Sequence, residues 1–166
     1  MKIQLLLLYF TISGFVFAPE NPEFQIYLKK NVEQEKIKQK KALRINNLLA
    51  ALRTIESNNT YNAKGSSGEY GAYQFMPETW DIYCYMFFGK QLDITNPKNQ
   101  DIIAYKKIEN LINKGYSNSE IAATWNSGNA QNWQSKIGVN SYGISYNVPA
   151  YVDNFLTIYY NQKYAT

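Results

Sequence analysis

The sequence contains no histidine, and its 166 residues include a single cysteine, Cys84. The first absence removes Ser-His-Asp triads, Cys-His pairs and histidine-ligated zinc from consideration. The second removes an intrachain disulfide and any multi-cysteine metal site. Cys84 itself stands in Asp81-Ile82-Tyr83-Cys84-Tyr85-Met86-Phe87-Phe88, where bulky apolar neighbours suit a small buried core residue. No base for a catalytic thiol accompanies it. Strongly alternating strand patterns are also lacking. The remaining chemistry rests on carboxylates, hydroxyls and amides, and no metal or organic cofactor is implied.

Aromatic rings, by contrast, are abundant: 15 Tyr, 8 Phe and 3 Trp. Such rings serve both cores and grooves that grip polar ligands through an apolar face. The length suits one compact domain plus an export segment. Lys2 followed by the apolar run Leu5 to Phe17 has signal-peptide proportions, and Val16-Phe17-Ala18 is an acceptable cleavage pattern. Pro19 disfavours cleavage after Ala18, so residues 1–18 are read as a signal peptide or an uncleaved membrane anchor. Either way the protein is expected outside the cytoplasm: in the periplasm or cell envelope, or extracellular. Membrane contact is expected only through the N-terminus.

Positive charge is concentrated in residues 29–44, where seven basic side chains face two acidic ones; residues 45–166 carry nine of each sign. The basic stretch reads as the solvated face of a helix or as a weak attractant for anionic envelope polymers. A neutral main body in an exported protein argues against nucleic-acid binding.

Helical spacing runs from about Gln25 to Glu56, with Leu28, Val32, Leu43, Leu48, Leu49, Leu52 and Ile55 as the apolar stripe. Its polar first half makes residues 19–41 a basic helical lead-in, with the domain proper over 42–162. A loop rich in Asn, Ser, Gly and Tyr follows, from Ser57 to Tyr73. Pro77 opens a helix to about Phe88. Asn96-Pro97 opens another to about Asn113, stopped by Gly115. Ser117 and Glu120 form a capping box for a helix from about Asn118 to Asn126, with Gly128 behind it. Residues 129–148 read as loop, and Pro149 starts a last helix to about Tyr160. Two long loops in a mainly α domain point to a function for those loops.

The most informative stretch begins at Glu56-Ser57, where a carboxyl ends an apolar helix face, and continues through Gly68-Glu69-Tyr70-Gly71-Ala72-Tyr73-Gln74-Phe75-Met76-Pro77-Glu78-Thr79. Partial desolvation at such a place raises a carboxyl pKa and lets it hold a proton for delivery. This stretch resembles the soluble lytic transglycosylase (SLT) family, whose pattern is Glu-Ser, an aromatic soon after, then Gly-x-x-Gly-Leu-Met-Gln-x-Met-Pro-x-Thr. Glu56, Ser57, Gly68, Gly71, Gln74, Met76, Pro77 and Thr79 match it without a gap, with Ala72-Tyr73 replacing Leu-Met. Thr124-Trp125-Asn126-Ser127-Gly128 resembles the family's Ala-x-Asn-Ala-Gly. Ala150-Tyr151-Val152 resembles its aromatic-Val near the last helix, and Asn99-Gln100 fits the helix between. The resemblance covers roughly residues 42–160, and three motifs in order are far more specific than any one.

The resemblance implies a lysozyme-like (SLT) domain with a substrate cleft. It makes Glu56 the catalyst: an acid that protonates the glycosidic oxygen between N-acetylmuramic acid and N-acetylglucosamine, then a base that takes the proton of the muramoyl C6 hydroxyl. That hydroxyl closes on C1, leaving a 1,6-anhydro end. No water needs activating, so one carboxylate suffices where hydrolases use two. Ser57 and Gln74 are expected to hydrogen-bond near the cleft. Asn126 is expected either to bind substrate amides or to brace the catalytic loop. Tyr61, Tyr70, Tyr73, Trp125, Tyr146 and Tyr151 are expected to supply the groove wall, while Met76 and Pro77 serve packing and helix start. Peptidoglycan glycan strands are the implied partner, with a secretion or conjugation apparatus, wall remodelling or phage as settings.

Two departures bear on the chemistry. Trp125 stands where the family commonly has a tyrosine whose hydroxyl can touch the catalytic carboxyl. Indole offers only an N–H, so Tyr151 or Tyr146 is expected to orient Glu56 instead. Glu69 occupies a position typically small in the family. It is either a solvated loop residue or a second carboxylate that would favour hydrolysis. The rival functions are therefore a hydrolysing muramidase on the same fold and a non-catalytic glycan-binding subunit of an envelope-spanning machine.

Overall fold

The computed structural model describes residues 22–139, 143 and 145–164. The expected export signal lies outside the described residues. The chain divides into two compact units, residues 1–41 and 42–166. One helix, α1 (Pro22–Ser57), supplies all of the described part of the first unit and the start of the second. In the first unit its surface is open: Val32 and Ile37 are exposed among the lysines. In the second unit Ile45, Leu48, Leu49 and Leu52 form a buried stripe at helical spacing. Leu43, expected on that stripe, is 61% exposed. It lies two residues before Ile45, which at 100° per residue puts it on the far side of the helix.

The other helices start and stop where local chemistry dictates. Helix α2 (Pro77–Phe88) has proline in its first turn and ends at Gly89, whose left-handed φ of 67° lets its N–H reach the Tyr85 carbonyl. Helix α3 (Pro97–Asn113) is capped by the Asn96 side chain, which accepts from the Lys98 N–H at 3.0 Å. Helix α4 (Asn118–Ser127) carries the capping box in both directions. Helix α5 (Val148–Tyr164) begins one residue before Pro149, with the Asn147 side chain accepting from the Ala150 N–H.

Within the segment expected to be loop, β1 (Ile137–Val139) pairs antiparallel with β2 (Ser145–Asn147), Gly138 opposite Tyr146. Ile137 and Val139 are both 62% exposed, so these short strands bury no face. Their pairing rests on backbone hydrogen bonds, and side-chain alternation carries no trace of it. The core of the second unit joins α1 to Trp80 and Cys84 of α2, Ile103 and Ile108 of α3, Ile121 of α4, and Val152 and Phe155 of α5. Tyr73 and Phe75, from the loop between α1 and α2, are buried with them.

Candidate active site

The loop between α1 and α2 is held from three sides. The Ser57 hydroxyl donates to the Ala72 carbonyl at 2.9 Å and accepts the Thr60 N–H at 3.0 Å. Tyr70 bridges to both Lys64 and Phe75, folding the loop back on itself. From α3 comes Gln100, fully buried: its Oε1 accepts the Ala72 N–H at 2.8 Å, and its Nε2 donates to the Tyr61 and Ile94 carbonyls at 2.9 and 2.7 Å. Every hydrogen-bonding site of that amide group but one is thereby used, as burial demands. Gly71 makes the close approach possible. Its φ is 85°, and a Cβ there would run into the Gln100 side chain.

Pinned in this way, the loop presents Glu69, Gln74 and Met76 to a pocket of about 300 Å³. Glu56 at the end of α1 and Trp125-Asn126 near the end of α4 complete its lining. The size is at the small end for a ligand site. Gln74 sits in the left-handed region at φ 47°, and its Nε2 donates to the Gly71 carbonyl at 2.8 Å. A non-glycine residue held there is strain of the kind concentrated at functional sites. The Asn126 amide is exposed, without a hydrogen-bond partner among the described residues.

Glu56 is half-buried, and the Tyr151 hydroxyl of α5 donates to its Oε1 at 2.5 Å. Burial raises the Glu56 pKa above the ordinary carboxyl range; the Tyr151 hydrogen bond and the charge of Lys107 oppose this, and Glu69 adds to it. Burial and the neighbouring Glu56 in turn keep the Tyr151 phenol protonated well past its usual range. Tyr151 is therefore a fixed donor. Of the two tyrosines expected to orient Glu56, Tyr151 does so. Tyr146 stands 43% exposed on β2 with its phenol against Gly138, and it is not part of the pocket lining.

Three more expectations are corrected by the geometry. Tyr73 is fully buried, its hydroxyl donating to Asp101 Oδ1 at 2.7 Å and accepting from Arg53 Nη1 at 2.7 Å. It packs behind Trp125, at 6.0 Å between ring centres, and has no surface left for a sugar. Ser57 spends its hydroxyl on the loop backbone and braces the pocket without lining it. Met76, expected to serve packing, is instead 42% exposed along the pocket.

One functional candidate was not singled out from the sequence. Lys107 of α3 is only 8% exposed, with its Nζ 3.9 Å from the centre of the Trp125 ring and 5.0 Å from that of Tyr83. Burial brings its pKa down from 10.5 to about 8, with the Glu56 charge opposing the fall. The spacing of Ile103, Ala104, Ile108 and Leu111 on α3 puts position 107 inside the buried stripe, and that signal could have found it.

A mainly helical fold, a pocketed carboxyl with a raised pKa and a phenol fixed on it agree with the lysozyme-like (SLT) domain that the motifs resemble. A family model for the transglycosylase SLT domain matches residues 33–147, and the chain belongs to that family. Among solved structures, the lytic transglycosylase Slt of Pseudomonas aeruginosa, determined as an inactive mutant, is similar at a TM-score of 0.55 and 19% identity. The likeness covers 72% of this chain and 22% of that one. It is a likeness of fold, and this chain spans less than a quarter of the length of Slt. No curated protein matches the sequence.

Removing the Tyr151 hydroxyl checks the role given to it. In Tyr151→Phe the carboxylate form of Glu56 loses a charge-assisted hydrogen bond, worth roughly 1.5–3 kcal/mol. The Glu56 pKa rises further, so the midpoint of the Glu56 carboxyl, followed by carbon-13 NMR, should lie at higher pH than in the wild type; an unchanged midpoint would remove the role given to Tyr151.

Proposed function

We propose that this chain is a lytic transglycosylase that cleaves the β-1,4 bond between N-acetylmuramic acid and N-acetylglucosamine in peptidoglycan, leaving 1,6-anhydro-muramoyl ends. The observation that carries this reading is the state of Glu56: a carboxyl in a pocket, kept protonated more readily by burial and held at one oxygen by Tyr151. As acid it delivers its proton to the departing glycosidic oxygen. As base it takes the proton of the C6 hydroxyl while the new C1–O6 bond forms. General acid/base action of this kind supplies roughly 10²–10⁴-fold in rate, and orientation within the pocket supplies more. Asn126, whose amide has no hydrogen-bond partner among the described residues, and Gln74 and Trp125 are the candidate sugar contacts. Export across the cytoplasmic membrane, the division into segments 1–18, 19–41 and 42–162, and service to a secretion or conjugation apparatus belong to the same proposal.

Glu69 supports a second reading. It lines the same pocket as Glu56, and a second carboxylate could activate water and give a hydrolysing muramidase. Its carboxylate already accepts the Ser67 N–H at 2.9 Å, which turns one oxygen back toward its own loop. Mass spectrometry of sacculi digested by the purified protein separates the readings. Muropeptides lighter by one water, with anhydro ends, are expected; reducing ends would mean hydrolysis. No soluble product under any buffer condition would leave glycan binding without catalysis.

A further inference from the structure

A lysine inside a protein ordinarily meets a carboxylate or a set of carbonyl oxygens, because an ammonium out of water needs acceptors. Lys107 meets aromatic faces instead. Its Nζ lies over Trp125 and Tyr83, and no hydrogen-bond acceptor for it occurs among the described residues. An apolar side chain of the same length would fill this place on α3 without the cost of burying a charge. The ring contacts return part of that cost and fix where the charge sits. One of the two rings, Trp125, is also a wall of the pocket that holds Glu56.

We propose that Lys107 is a positioning residue for the reaction: a buried cation, clamped against Trp125 and Tyr83, that serves as counter-charge to the Glu56 carboxylate formed when Glu56 has given up its proton. This rests on the reading of Glu56 as the acid/base group. Glu56 is neutral when substrate binds, negative once its proton has moved to the glycosidic oxygen and the C1–O bond has broken, and neutral again when the C6 hydroxyl proton arrives. Lys107 transfers no proton. Its fixed positive charge lowers the free energy of the middle state alone, and interactions made only there raise turnover without tightening substrate binding.

The groups that set the charge balance are few. Glu56 comes from α1, Glu69 from the loop, Tyr151 from α5, Tyr83 from α2 and Lys107 from α3. Of these, Lys107 is the one cation among the described residues that acts on Glu56. The mutual influence of Glu56 and Lys107 on each other's proton affinity agrees with the placement. Sugar rings filling the pocket would exclude water and strengthen the attraction further.

The test compares the full chain with Lys107→Met, which keeps length and apolar packing, and with Lys107→Arg, which keeps the charge. Carbon-13 NMR of labelled glutamate carboxyls, with the Glu56 signal assigned by its loss in Glu56→Gln, reads the titration directly and without substrate. The Glu56 midpoint should rise by roughly one pH unit in Lys107→Met and stay near wild type in Lys107→Arg. On sacculi, kcat of Lys107→Met should fall about tenfold with KM within about twofold, and Lys107→Arg should recover most of it. As a second reading that needs neither lysine variant to fold, the Lys107 side-chain signal should titrate near 8 in wild type and at lower pH in Glu56→Gln. An unchanged Glu56 midpoint in Lys107→Met, or an unchanged Lys107 midpoint in Glu56→Gln, overturns the proposal. A wild type that titrates as described yet releases nothing from sacculi would strike the enzymatic reading of Glu56 and leave the charge coupling standing.

Discussion

Glu56→Gln should reduce the release of soluble muropeptides from sacculi by at least about 10²–10⁴-fold, the range for losing a positioned acid/base group. Glutamine keeps the volume of the side chain, and its carbonyl oxygen can still accept from the Tyr151 hydroxyl, which donates to Glu56 Oε1 in the wild type. The proton is what disappears. With the pocket walls at Gln74, Trp125 and Asn126 untouched, co-sedimentation with sacculi should persist at near wild-type affinity. A Glu56→Gln protein that kept more than about a tenth of wild-type release would move the chemistry to another group, with Glu69 first in line.

The second large effect has the opposite sign to most core substitutions. Lys107→Met should stabilise the protein, by about 1–3 kcal/mol at pH 7. The lysine's pKa falls from 10.5 to about 8 on folding, which at roughly 1.4 kcal/mol per pH unit is a charge-burial cost of about 3 kcal/mol. The contacts with Trp125 and Tyr83 return about 0.5–2 kcal/mol of it, so the desolvation cost wins. The sign with pH follows from linkage. Between about 8 and 10.5 the unfolded chain binds a proton at this lysine that the folded chain does not, so stability rises with pH across that window. Below about 8 the cost is present in full. The difference in unfolding free energy between Lys107→Met and wild type should therefore be constant from pH 6 to about 7.5 and close between 8 and 10.5. Urea denaturation at four or five pH values measures it. A Lys107→Met protein less stable than wild type at pH 7 would mean that the aromatic clamp outweighs burial.

Much of this architecture was legible in advance because its signals are local. Pro77, the Asn96-Pro97 pair, the Ser117–Glu120 box, and Gly115 and Gly128 each fix a helix end through atoms within a turn of it, so the helix limits come out within a few residues. Glu56, Gln74, Trp125 and Asn126 meet at one pocket because the motifs that contain them are spaced as in the SLT family. What escaped depends on partners distant in the chain. Tyr73 reads as a ring free for sugar until Arg53 and Asp101 are seen to claim its hydroxyl. Ser57 reads as a substrate contact until Ala72, 15 residues on, takes its hydrogen bond. The β1–β2 pair leaves no pattern because neither strand buries a face. Lys107 could have been found by trusting the helical period over residue type, since a charge in a buried stripe is the informative exception.

The interlock of Gly71 with Gln100 constrains how this domain can change over generations or in the hands of an engineer. Position 71 must be glycine twice over, for its backbone twist and for the amide crowding it. Position 100 in turn supplies the clasp that the neighbouring loop relies upon. A segment spanning residues 68–76 is thus not a portable cassette. Transplanted alone into a relative with another side chain at the place of Gln100, it would arrive unlatched, so grafts that succeed should carry both halves.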